Sequence, residues 1–359
     1  MKIKNLSEPI FLWRILPFIL CQLIAAAVVF ATNPSEREIQ KQIADGIERT
    51  ILNDFSGAES VFLNLIDQYP QQPFGYFYLG ATYQAQMLDA ESYEKLDDFT
   101  AAMERAIELA KERQQDNEED AWAYFFEGSA YLYRSFMDSK LKKVWGAYRN
   151  AVKGAGRLEK VIELDSTFYD AYLGVGSYKY WKSSKTKMLT WLPILKDERE
   201  QGISMVQTAI QKGDFVKLVG RDQLAWILLD SGKAPDALEL AIENHQLYPE
   251  SRFFMWTLVE IYYRDEQWEE AFTLYQKLLK LLRELPENNH YNEVTCLLRM
   301  AEVYYMRGDF LNADSLASEI LSLKLSEEVR ERVKPKLKRA LKLKQLCAPE
   351  LTNADKISQ

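Results

Sequence analysis

Gly308-Asp309-Phe310-Leu311-Asn312-Ala313-Asp314-Ser315-Leu316-Ala317 sets out a spacing of small and apolar residues that occurs twice more upstream. Gly232-x-Ala234-x-x-Ala237-x-x-x-Ala241 repeats it, and Glu266-x-Trp268-x-x-Ala271-x-x-x-Tyr275 repeats it with larger residues at three places. The blocks begin at positions 232, 266 and 308. Recurrence at about 34 residues marks a solenoid of helix pairs, because no single unit can bury its own apolar face. Such an architecture points to a binding protein rather than an enzyme.

The chain has 359 residues, 47% hydrophobic and 27% charged, an ordinary globular composition. Residues 1–31 stand apart. Lys2 and Lys4 open the chain, Ile15 to Phe30 is apolar except for Pro17 and Gln22, and Val29-Phe30-Ala31 supplies small residues at a cleavage site. That is the layout of a secretory signal peptide, and a soluble periplasmic or secreted product is expected. The alternative is an uncleaved inner-membrane anchor over Ile10 to Ala31, interrupted by Arg14 and Pro17. Cys21 lacks the small preceding residue of a lipid attachment site. Cleavage would leave 42 basic and 52 acidic residues and move the charge from −8 to −10. An acidic chain without a long basic stripe excludes nucleic acid as the expected partner. Cys296 and Cys347 would remain, either bridged or as two buried thiols, with no spacing pattern to pair them.

The repeated blocks extend over longer registers. One repeat supplies Leu224, Ala225, Leu228, Gly232, Ala237, Ala241 and Pro249, and the next Met255, Leu258, Val259, Tyr262, Trp268, Ala271, Tyr275 and Leu278. The last supplies Leu297, Met300, Ala301, Tyr304, Gly308, Phe310, Ala313, Ala317 and Ile320. This pattern resembles the tetratricopeptide repeat (TPR) family, in the form of a bacterial exported member. Small residues let two helices approach closely and large ones fill the gap opposite. The implied fold is all-α: a right-handed superhelical solenoid of about seven antiparallel helix pairs plus a C-terminal capping helix.

Residues 36–217 are expected to hold irregular repeats with long insertions, and 218–325 regular ones. The stretches from Gly80 to Ala102, Gly128 to Gly154 and Gly176 to Gly202 are each roughly twice as long as their counterpart in a plain repeat. Lys140 to Val161 reads as one long helix. Met188 to Leu195, with Trp191-Leu192-Pro193, reads as a structured apolar loop that either fills the groove or leaves it open. Asp197, Glu198 and Arg199 are either tied back to a helix start or merely solvated. Residues 326–347, half charged, are expected to cap the solenoid, with binding to anionic lipid as the sharper alternative, and 348–359 to form a disordered tail. Over about 142–205, Lys142-Lys143-Val144-Trp145-Gly146-Ala147-Tyr148, Gly174-x-Gly176, Trp191-Leu192-Pro193 and Asp197-Glu198-Arg199-Glu200-x-Gly202 are similar to a block of a TPR subfamily that includes eukaryotic inclusion-clearance proteins of the outer mitochondrial membrane.

The resemblance implies that positions 2, 5, 9 and 12 of each first helix line a concave face. Aromatic residues dominate there: Phe74, Phe77, Trp122, Phe125, Tyr180, Trp226, Phe253, Trp256, Tyr263 and Tyr305. Open apolar surface of that extent usually binds something. The candidate occupant is a protein or peptide held by aromatic anchors, with an apolar ligand as an alternative and ordinary core as the competing reading. Asp222, Trp226 and Thr257 stand where the family's carboxylate clamp would need Lys, Asn or Arg, which argues against chaperone-tail binding.

Catalysis is not expected. The only histidines, His245 and His290, lie in different repeats, and no metal spacing or nucleophile–base grouping joins them. Gly174-x-Gly176 falls inside a predicted helix, so it is not a phosphate loop. No cofactor is expected, and membrane contact only through residues 10–31 if they are retained. The reading is a non-catalytic envelope scaffold; a structural subunit of an envelope assembly is the alternative.

Overall fold

The computed structural model describes residues 34–186, 196–213 and 216–357. Over these the chain is all-α, with fifteen helices. The first eight are α1 (Pro34–Ile51), α2 (Phe55–Gln68), α3 (Pro73–Ala90), α4 (Leu96–Asp116), α5 (Ala121–Lys140), α6 (Val144–Leu164), α7 (Tyr169–Thr186) and α8 (Arg199–Lys212). The rest are α9 (Lys217–Asp230), α10 (Ala234–Leu247), α11 (Arg252–Arg264), α12 (Trp268–Arg283), α13 (Tyr291–Met306), α14 (Phe310–Ser322) and α15 (Glu327–Ile357). Sequence neighbours pack as successive couples, the arrangement of a helix-pair solenoid. The signal-peptide reading of residues 1–31 and the loop Met188–Leu195 lie outside the described residues.

The chain divides into two compact units: Met1–Gln86 with Glu94–Tyr248, and Met87–Tyr93 with Pro249–Gln359. The boundary falls within the last turn of α3.

One turn closes helix couple after helix couple. Asn53, Glu91, Lys142, Gly232, Glu266 and Gly308 all have left-handed backbone, with φ between 47° and 84°. At each, the following N–H reaches back to the last turn of the helix: Asp54 to Arg49, Ser92 to Met87, Lys143 to Asp138, Lys233 to Leu228, Gln267 to Tyr262 and Asp309 to Tyr304, at 2.7–3.1 Å. This is the Schellman geometry, which satisfies carbonyls that the helix end would leave bare. A Cβ at Gly232 or Gly308 would meet nothing within 4 Å, so glycine stands there for φ and not for packing. Asp54 and Asp309 then cap the next helix, accepting from the N–H of Gly57 and Asn312, and Asp120 caps α5 in the same way, accepting from the Ala123 N–H.

The insertions between Gly80 and Ala102 and between Gly128 and Gly154 are taken up mainly by longer helices. Lys140–Val161 is not one helix: it breaks at Lys142, and the added residues lengthen α5 to 20 and α6 to 21 residues, against 14 each in α9 and α10. The break is carried by φ = 61° at a lysine, which has no signature in sequence. At the other end, α15 runs to Ile357 with Pro335 and Pro349 inside it, where a tail from 348 was expected. Cys296 and Cys347 are free and buried.

Candidate partner-binding surface

In the first unit five of the six predicted aromatic residues form core. Phe77 lies 5.3 Å from Tyr133 and 5.7 Å from Phe126, ring centre to ring centre. Trp122 meets Phe168 at 4.4 Å, and Phe125 stacks on the same ring at 5.2 Å. Phe74 is buried against Tyr69. Tyr180 is buried too, its hydroxyl donating to the Ile227 carbonyl (3.1 Å) and Asp230 carboxylate (2.9 Å). Burial pushes that phenol well above its ordinary pKa, with Asp230 adding to the effect. These five residues therefore drop out of the partner surface. First helices of successive couples touch directly, α5 with α7 and α7 with α9, and that approach closes over the positions that would otherwise face a groove. Trp226, on α9, is half-buried and remains accessible.

In the second unit, Phe253 and Trp256 are half-buried on one face of α11, three residues apart, with Phe253 set against Phe254 at 5.0 Å. Tyr263 is tied down: its hydroxyl donates to Glu302 (2.5 Å), and the Arg299 guanidinium lies 4.0 Å from its ring centre. Tyr305 packs on Phe310 and on the small core that joins Cys347 and Leu343 of α15 to Ala301 and Ala313. Among the predicted residues, Trp226 in the first unit and Phe253, Trp256, Tyr263 and Tyr305 in the second are all half-buried, and of these Tyr263 is engaged by Glu302 and Arg299 and Tyr305 by Phe310.

Beside the α11 pair lies a charged cluster. Glu260 pairs with Arg264 (2.7 Å) and Arg299 (3.6 Å), and Glu302 pairs with Arg299 (3.4 Å) and with Arg339 of α15. Burial alone would raise the pKa of Glu260, but Arg299 and Arg264 outweigh it and hold the carboxyl below the usual glutamate range. The signal was available. Glu260 and Glu302 occupy the ninth position of their repeats, between Trp256 and Tyr263 and between Leu298 and Tyr305.

A second cluster holds the end of α3. Arg252 grips Asp89 with two nitrogens, at 2.9 and 2.6 Å. The Asn292 amide donates to the Asp89 carbonyl (2.8 Å), the Asn289 amide to the Ala90 carbonyl (3.0 Å), and Arg332 to the Glu91 carbonyl (2.6 Å). Carbonyls that a helix end cannot pair internally find partners on α13, on the turn just before it and on α15. Burial pushes the neighbouring Tyr93 phenol up to about 12.

His290 is part of a local side-chain cluster. His290 is the left-handed residue before α13, and its Nδ1 lies 2.7 Å from Glu293, which also takes Arg283. No group of three or more His, Cys, Asp or Glu placed to hold a metal occurs among the described residues. Asp222 and Thr257 are buried. Glu198 is tied back to α7 by Lys179 (2.7 Å) and Lys182, and its N–H donates to Ser183 (2.9 Å).

The sequence profile described as tetratricopeptide repeat matches residues 251–326, the span of α11 to α14. The match covers 76 of the chain's 359 residues. Among solved structures, the Cut9–Hcn1 hetero-tetramer of the APC/C is similar over 88% of this chain and 57% of that one, at 13% identity and a TM-score of 0.51. This chain therefore spans little more than half of the one it matches there, and the likeness is one of fold. A thermophilic TPR protein of Thermus thermophilus aligns over 62% of this chain and 98% of its own, at 15% identity and a TM-score of 0.41. Yeast Tom70 aligns over 96% and 72%, at 13% and 0.44. No curated protein matches the sequence. The TPR couples at 251–326 are thus the part of the chain where family and geometry coincide, and they carry Phe253 and Trp256.

Proposed function

We propose that the chain is a non-catalytic scaffold that holds a protein or peptide partner on the TPR couples of its second unit, with Phe253 and Trp256 as the anchors. The observation that carries this reading is the contrast in burial. The equivalent rings Phe77, Trp122 and Phe125 are consumed by core, whereas this pair stays half-buried beside the charged Glu260–Arg299 cluster. An aromatic pair next to fixed charges suits a peptide that offers an apolar side chain and a polar neighbour. TPR proteins generally serve as protein-interaction scaffolds, and the Cut9–Hcn1 structure is itself a hetero-tetramer.

The workplace proposed is the cell envelope, with residues 1–31 removed after Ala31 on export. N-terminal sequencing of the mature protein checks this: a start at Thr32 supports it, and a start at Met1 replaces it with a retained anchor. For the binding surface, a photo-crosslinking residue at Gln267 and affinity capture from envelope extract read partner engagement. F253A/W256A should abolish capture while far-UV circular dichroism stays unchanged. Capture that survives this variant and is lost in W226A would move the surface to the first unit.

A further inference from the structure

The turn between α5 and α6 carries an exposed apolar face that the partner-scaffold reading does not use. Trp145 is 84% exposed, Val144 68%, Tyr148 62% and Val152 41%, the largest such concentration among the exposed hydrophobic residues of the described chain. At about 100° per residue, these four fall within an arc of about 100° on α6. The two helices are longer here than in the regular couples, so their tip stands beyond the level at which Gly128 and Gly154 meet.

Charge runs against the rest of the molecule at this tip. Residues 139–158 contain Lys140, Lys142, Lys143, Arg149, Lys153 and Arg157 and no carboxylate, in a chain of net charge −8. Arg149 and Lys153 project within about 40° of one another, directly beside the apolar arc, and Lys142 and Lys143 immediately precede the helix. Arg157 is engaged by Glu127 (2.8 Å) and Lys153 lies over the Tyr131 ring (5.3 Å). Lys142, Lys143 and Arg149 are exposed and make no ion pair among the described residues. Asp138, near the end of α5, accepts from the Asn150 amide (2.8 Å).

We propose that the α5–α6 tip is a peripheral docking site for an anionic phospholipid surface, with Trp145 and Tyr148 entering the headgroup region and Lys142, Lys143 and Arg149 meeting lipid phosphates. Amphipathic aromatic rings settle at the membrane–water interface, and a row of cations beside an apolar face is the arrangement that holds a helix there. Four apolar residues amount to one short signal, which is why the cations are needed alongside. An acidic protein would satisfy the cations but would not call for four apolar side chains in full contact with water.

The test uses the full chain with vesicles of phosphatidylcholine, either alone or mixed with phosphatidylserine in a molar ratio of seven to three. Because the chain has eight tryptophans, the contribution of Trp145 is read as the difference between wild type and W145F. This local readout is independent of how residues 1–31 behave. With phosphatidylserine vesicles, that contribution should shift to the blue and be quenched by brominated acyl chains. K142A/K143A should weaken the effect roughly thirtyfold, the loss expected for two lysines at an anionic surface, and salt at about 0.5 M should reverse it. An unshifted Trp145 contribution on phosphatidylserine vesicles overturns the proposal, as does a shift that needs an added acidic protein instead of lipid. Circular dichroism of each variant confirms an intact fold.

Discussion

Gly128 on α5 and Gly154 on α6 meet backbone to backbone: a Cβ on Gly128 would lie 2.9 Å from the Gly154 carbonyl oxygen, and one on Gly154 2.7 Å from the Gly128 oxygen. Gly176 and Gly202 meet in the same way at 2.6 and 2.5 Å, and Gly80 faces Ala102. The lengthened couple keeps this register for a simple reason. Gly128 precedes the turn residue Lys142 by 14 positions, where Ala225 precedes Gly232 by seven. Gly154 follows Lys142 by 12, where Ala237 follows Gly232 by five. Seven residues added to each helix are nearly two full turns, so both contact faces still point at each other.

Gly176→Ala and Gly202→Ala should therefore each destabilise the first unit by about 1–3 kcal/mol or more, since backbone rather than a flexible side chain stands in the way. Gly156, two residues beyond Gly154, has nothing within 4 Å of a Cβ. Gly156→Ala should stabilise by about 0.5–1 kcal/mol through helix propensity. Urea denaturation of the three variants separates the cases, and equal effects would refute the close-contact account.

Glu266 holds φ = 60° at a turn where Gly232 and Gly308 do the same work without a side chain. Glu266→Gly should raise stability by about 1 kcal/mol, because the left-handed region costs an L-residue about that much. A higher denaturation midpoint with an unchanged slope is the expected result.

Asp89 and Arg252, 163 residues apart, are both largely buried in the second unit. Removing one partner strands the other charge, so Asp89→Ala should cost about 3–5 kcal/mol. Arg252→Ala added to it should cost no more, and a double-mutant cycle reads the coupling directly.

Glu260 has a folded pKa held below its ordinary value by Arg299 and Arg264 against the opposing effect of burial. The unfolded chain then binds more protons in acid, so stability falls as pH falls. The contribution of this carboxylate is complete above the ordinary glutamate pKa of about 4.3 and is lost progressively below it, as pH passes through the depressed folded value. Arg299→Met should shrink the slope of stability against pH in that window. Denaturation midpoints from pH 6 to pH 3 for the two proteins provide the measurement.

Much of the fold was legible because each repeat states its own local rules. Ala237, Ala271 and Ala313 follow their turn residues by five positions, and all three are buried. The same offset joins Asn53 to Ala58 and Lys142 to Ala147, but Asn and Lys conceal a turn that Gly announces. The site was less legible. Aromatic residues at first-helix positions look alike in sequence whether neighbouring helices close over them, as with Phe77 and Phe125, or leave them partly open, as with Phe253 and Trp256. Burial depends on how near the adjacent couple approaches, and no residue within the repeat records that distance. Glu260 and Glu302 were missed for a different reason: a carboxylate at the ninth position reads as solvated until Arg299 and Arg339 are seen beside it.

Periodicity and residue size act within a few turns of chain, so they were enough to specify the helix-pair repeat, its small contact residues and the lengthening of the middle couples. Folding alone settled which aromatic rings became core, that Met87–Tyr93 joins the second unit through Arg252, Asn289 and Arg332, and that Trp145 stands exposed at a cationic tip. Those outcomes depend on groups brought together from distant parts of the chain, or on the absence of a neighbour to cover them, and neither is written into any local pattern.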